Sequence, residues 1–221
     1  MNDTDLLEKL MSFFKEKGYI INNHMDILKI KLDYDDIEVL KKYLNEFQEI
    51  QYKKFIVRCL SKRNIKNVSN YLINQYKLSN DNDYRWVVAN ALLTICDKSL
   101  LDSYIEIVLE KKYQTSRQMI VLLLGKIKKV ESKKALLSLL DNHDYDVLSQ
   151  TLNSLNNIID DEIYKKIKMF ISDSNMLIIK KDLILIKENN QLYNLVDIEG
   201  FIKLIVREAN KGISKYEKMN R

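Results

Sequence analysis

The amino-acid sequence predicts an all-α fold, an α-α superhelix of about five helix pairs with a helical cap at each end. Two observations carry this. The segments Arg85-x3-Ala89-x2-Leu92-x2-Ile95 and Arg117-x3-Val121-x2-Leu124-x2-Ile127 match position for position at a spacing of 32 residues. Weaker copies run through Lys53, Val57 and Leu60, through Leu148, Leu152, Leu155 and Ile158, and through Met176, Leu183 and Ile186. A block that recurs at this period is a unit that buries its apolar face against its neighbours in a stack. The second observation is punctuation: 221 residues contain no proline and only four glycines, too few for β-hairpins or long irregular loops.

The elements follow in order. Residues 1–34 read as an N-terminal helical cap. Leu6, Leu7, Leu10, Phe13 and Phe14 recur on one helical face behind Asp5-x-x-Glu8, an acidic variant of a capping box, and Gly18 stops that helix. His24 to Leu32 adds a shorter apolar segment. Residues 35–189 then alternate two helical patterns per repeat. The first helices are expected at 35–46, 66–78, 99–111, 132–140 and 161–172, and the second at 51–63, 84–96, 116–129, 145–158 and 175–188. Asp35, Ser99, Ser116 and Asp161 stand at helix starts, where a side-chain oxygen can accept from free backbone N–H groups. In the last second helix Lys180 takes the place of Ala89 and Val121, so either that helix is turned with Ile179 inward or the repeat is a degenerate end cap. Residues 190–221 form a capping helix, Val196 to Ala209, and a charged tail, Lys211 to Arg221, expected to fray.

At the repeats the sequence resembles the HEAT-repeat family of armadillo-like antiparallel helix pairs. The likeness lies in the second helices, where Asp83-Tyr84-Arg85-Trp86-Val87-Val88-Ala89-Asn90-Ala91-Leu92 follows an acidic-turn, Arg, small-residue, Leu pattern and Leu124-Gly125-x-Ile127 adds a helix-interior glycine. It covers about residues 35–189. The resemblance implies a right-handed solenoid whose second helices line a concave face. Departures from it are the absence of first-helix prolines and the irregular fifth repeat.

Stacking the second helices in register gives three columns: Lys54, Trp86, Gln118 and Ser149; Arg58, Asn90, Leu122 and Asn153; Lys62, Thr94, Lys126 and Asn157. Lys54, Arg58, Lys62, Trp86, Asn90, Gln118, Lys126 and Asn153 are the partner-binding candidates. Charge is graded along the chain. Residues 51–80 hold Lys53, Lys54, Arg58, Lys62, Arg63, Lys66 and Lys77 and no acid, whereas 135–164 hold Asp141, Asp144, Asp146, Asp160, Asp161 and Glu162 and no base. Such a dipole suits a protein partner with complementary charge better than a uniform polyanion. Trp86 reads either as packed interior or as a binding anchor. Arg85 and Arg117 are expected to tie the acidic turns of neighbouring repeats together, because the guanidinium fork matches a carboxylate. Lys128-Lys129 and Lys133-Lys134 read as a solvated loop.

Several chemistries lack their residues. His24 and His143 are the only histidines, far apart in sequence, so no metal centre is expected. No phosphate-binding glycine loop occurs, and Cys59 and Cys96 read as buried thiols in a reducing cytoplasm. No apolar run reaches the roughly 20 residues of a membrane span. The expected function is a non-catalytic, cytoplasmic scaffold that uses no cofactor and binds a protein or peptide, an inhibitor or immunity-type pair being compatible. Nucleic acid is expected to bind only weakly and non-specifically. The alternative is a nucleic-acid-binding relative of the HEAT-like alkylpurine DNA glycosylases, in which Trp86 and Asp97 would supply the aromatic and the carboxylate.

Overall fold

A computed structural model describes residues 2–63, 65–188 and 197–221. Among these every regular element is helical, and no strand occurs. The chain forms two compact units, Met1–Leu100 and Leu101–Arg221.

The first unit contains α1 (Asp3–Glu16), α2 (Tyr34–Glu46), α3 (Ile50–Leu60), α4 (Ser69–Leu78) and α5 (Asn82–Ile95). Leu6, Leu10 and Phe14 are the buried stripe of α1, and the chain leaves that helix through Gly18 at φ +89°, a conformation glycine adopts without strain. The start is capped by Asn2, whose side chain accepts from the Asp5 N–H; the Asp5/Glu8 box is not formed. Asp3 is then free to act at a distance, and its buried carboxylate accepts the backbone N–H groups of Gln48 and Glu49, tying the start of α1 to the turn that leads into α3. Asp33, not Asp35, caps α2 in a reciprocal box with Asp36, because a cap must precede the first helical residue. Asp81 caps α5, and Cys96, in the left-handed conformation at φ +55°, ends it. Helix α3 packs against both α2 and α5, and α4 packs against α5.

The second unit contains α6 (Leu101–Leu109), α7 (Gln118–Ile127), α8 (Val130–Asp141), α9 (Leu148–Asn157), α10 (Asp161–Phe170), α11 (Asp173–Glu188) and α12 (Ile198–Met219). Ser116 lies within a 3-10 segment before α7, where its hydroxyl donates to the Tyr113 carbonyl instead of capping. Helix α9 sits between α7 and α12 and also packs on α8. The α7/α9 approach is close: a Cβ at Gly125 would fall 2.7 Å from the Ser154 Cβ, and the Ser154 hydroxyl donates to the Val121 carbonyl at 3.0 Å.

At the end of the unit the structure departs from the expected fifth repeat. It is α12, not α11, that makes the main contact with α9 and α10. Close approach requires Gly212, where any Cβ would collide with the Asn156 side chain. Asn156 donates to the Glu208 carbonyl at 2.8 Å and Lys215 donates to the Asn156 carbonyl at 2.6 Å. Helix α11 buries Ile179 and Leu183 but leaves Leu177, Ile178, Ile184 and Leu185 exposed. Ile179 is therefore inward, one of the two options left by the sequence; the Ile186 side chain and Val196 lie outside the described residues. The expected frayed tail is instead the last third of α12, because Tyr216 continues the apolar stripe and stacks on Tyr164 with ring centres 4.3 Å apart.

Candidate functional site

Five of the eight candidates lie in the first unit. Lys54 and Arg58 occupy successive turns of α3 on the face opposite its buried Phe55, Ile56 and Cys59. Trp86 and Asn90 do the same on α5, whose buried face is Tyr84, Arg85, Val88 and Ala89. The two outward faces adjoin, since the Lys54 ammonium lies 3.8 Å from the Asp83 carboxylate. Trp86 is 45 % exposed and so is no part of the core. The Asn90 amide donates to the Trp86 carbonyl at 2.9 Å, and Thr94 donates to the Asn90 carbonyl at 2.9 Å, so this row is polar but locally satisfied. Arg58 is exposed, and its guanidinium makes no hydrogen bond or ion pair among the described residues.

Lys62 does not join this surface as a free charge. It follows the end of α3, and its ammonium donates to the Leu28 carbonyl, stitching the end of α3 to the 3-10 helix His24–Lys29. The eight-residue spacing from Lys54 would have kept it in register only had the helix continued.

Gln118, Lys126 and Asn153 belong to the second unit. Lys126 on α7 and Asn153 on α9 are exposed on adjoining helices. Gln118 is half-buried and donates to the Asp146 carbonyl at 3.0 Å.

The arginine expectation divides. Arg117 is fully buried and reaches forward to the turn before α9, giving both terminal nitrogens to Asp144 and further bonds to the Val108 and Gln114 carbonyls. Arg85 turns back to Asn82 and the Ser79 carbonyl, at the start of its own helix. Beside Arg117, burial pushes the Asp146 carboxyl above the usual range against the pull of the guanidinium.

The acidic block is largely neutralised where it stands. Lys166 meets Asp141, Lys133 meets Asp160 and Glu162, and Tyr216 donates to Asp161. Lys133 therefore leaves the solvated loop expected for it.

The aromatic and carboxylate of the glycosylase alternative do not converge. Trp86 is in the second turn of α5 and Asp97 lies past its end, about 16 Å along the axis at 1.5 Å per residue. The buried Asp97 carboxylate is already used, accepting from the backbone N–H and hydroxyl of Ser99. Burial pushes the Cys59 thiol up to about 12, while Cys96 is only half-buried. Among the described residues no group of three or more His, Cys, Asp or Glu side chains is placed to hold a metal, and no helix is long and apolar enough to cross a membrane.

Compared with protein-family models, curated proteins and solved structures, the chain matches none.

Proposed function

We propose that this chain is a non-catalytic, HEAT-like helical scaffold that binds a protein or peptide partner on its second helices. The observation that carries the reading is Trp86, an indole exposed beside Lys54 and Arg58 on adjoining faces of α3 and α5. Tryptophan and arginine are the side chains most often found at the energetic centre of protein interfaces. Trp86 and Arg58 both stand outside the buried core. The side-by-side contacts of α3 with α5 and of α7 with α9 support the array reading. A cognate inhibitor or immunity-type pair is compatible with such a surface.

The test is recovery of co-purifying proteins from the native organism on immobilised wild-type chain and on Trp86→Ala. A partner held by the wild type and lost with the variant supports the scaffold. In parallel, duplex and single-stranded DNA should show no affinity tighter than about micromolar near physiological salt, and alkylated DNA should release no base. Tight DNA binding or base release would overturn the reading.

A further inference from the structure

The two charge blocks of the sequence are of opposite sign but of different availability. Each acid named in the 135–164 block has an internal partner: Arg117 holds Asp144 and lies 3.6 Å from Asp146, Lys133 and Lys166 hold three others, and Tyr216 takes Asp161. In the basic block Lys53, Arg58, Arg63 and Lys66 make no ion pair among the described residues. Between these two blocks the unspent charge is cationic, and the acidic block of a second copy is already occupied.

On the α3/α5 face this charge is local. Arg58 lies one helical turn from Lys54 on α3 and Trp86 one turn from Asp83 on α5, and the Lys54–Asp83 contact joins the two rows. Arg58 and Trp86 are thus roughly 10–20 Å apart, the span of about three to six extended residues. Asp83, 89 % exposed, stands beside Lys54 in these rows, and Lys62, next after Arg58, is spent on the Leu28 carbonyl. A nucleic-acid backbone following the cations would meet Asp83. A peptide can place one carboxylate on Arg58 and pass Asp83 with a neutral residue.

Resting on the scaffold reading, we propose that the α3/α5 face docks an acidic protein segment, a carboxylate pairing with Arg58 and an apolar or aromatic side chain packing on Trp86. The forked guanidinium supplies direction, the indole supplies apolar area, and Asp83 rejects a continuous polyanion.

The experiment uses a displayed random dodecapeptide library selected on the full chain near physiological salt, with affinities of synthesised winners measured by fluorescence anisotropy. Selected peptides should share an Asp or Glu three to six residues from an aromatic or large apolar residue. Their affinity should fall at least about tenfold with Arg58→Glu and with Trp86→Ala, and less than about twofold with Lys66→Glu, which makes the same charge change off this face. Arg58→Gln, checked for an unchanged circular dichroism spectrum, should also weaken binding. Winners that lack acids, or that bind these variants as they bind wild type, overturn the inference and leave the scaffold reading standing. Enrichment of no peptide overturns both, and a twelve-nucleotide DNA that displaces the winners overturns the choice of protein as ligand.

Discussion

The guanidinium of Arg117 holds the carboxylate of Asp144 in a fork, with its two terminal nitrogens 2.8 and 2.9 Å from the two oxygens. The arginine is fully buried and the aspartate nearly so. Arg117 also fixes the turn in which Gln114 takes φ +47°, through its bond to the Gln114 carbonyl. Asp144→Ala would leave a buried cation without its counter-charge and should cost about 3–5 kcal/mol. Urea unfolding checks this. A loss below about 1 kcal/mol would mean that water or Asp146 replaces the carboxylate.

Gly125 gives a second prediction of opposite sign to helix propensity. In an exposed helix Gly→Ala gains about 1 kcal/mol, but here the new methyl would meet Ser154 at 2.7 Å. Gly125→Ala should therefore destabilise the protein, and Gly125→Ala with Ser154→Gly should recover part of the loss. Stabilisation by the single change, read as a higher melting temperature, would show that the α7/α9 spacing is looser than described.

Lys17 joins the end of α1 to the start of α2, at 2.8 Å from Asp33 and 2.6 Å from Asp36. Hydrogen bonds to Asp33 and then Asp36 raise Lys17 well above the ordinary lysine value, and Lys17, followed by the Asp36 N–H, holds Asp33 below the ordinary carboxylate value. The raised lysine contributes stability that is complete below about pH 10.5 and is lost as pH rises through its folded value. The lowered aspartate contributes stability present above about pH 3.8 and lost as pH falls through its folded value. The melting-temperature difference between wild type and Lys17→Gln should thus be a plateau at intermediate pH that narrows at both extremes. A difference independent of pH would disprove this linkage.

The three cations once aligned in register should behave differently. Lys54→Glu and Arg58→Glu change exposed or half-buried charge and should stay within about 0.5 kcal/mol of wild type. Lys62→Glu removes the bond to the Leu28 carbonyl and should cost about 1–2 kcal/mol. Thermal melts of the three single variants decide it; equal stability of all three would return Lys62 to the free surface.

Helix positions were legible because the 3.6-residue apolar period is a local property. The expected second helices at 84–96 and 145–158 are observed as Asn82–Ile95 and Leu148–Asn157. Which helix fills the last place against α9 was not legible. Met176, Leu183 and Ile186 continue the repeat spacing, but the choice depends on Gly212 and Asn156 meeting across more than fifty residues. The outward position of Arg58 followed from the helical phase, whereas Trp86 stayed open between interior and surface because a large indole fits either. The fate of Lys62 did not follow from the phase, since a carbonyl in the distant 3-10 helix His24–Lys29 leaves no periodic trace. The charge sums misled for a related reason: Lys133, Lys166 and Arg117, which quench the acidic block, all lie outside its sequence window.

Because α12 takes the seat beside α9, α11 stands outside that seam, with Ile179 and Leu183 as its buried apolar anchors. Its amides can open to deuterium through local unwinding, leaving the α9–α12 seam closed. The Asn156–Glu208 bond joins residues 52 apart in sequence, so α9 and α12 should lose protection together in one larger opening. Amide exchange within the second unit should thus follow contact partners and not sequence order, with α11 exchanging ahead of the helices on either side of it.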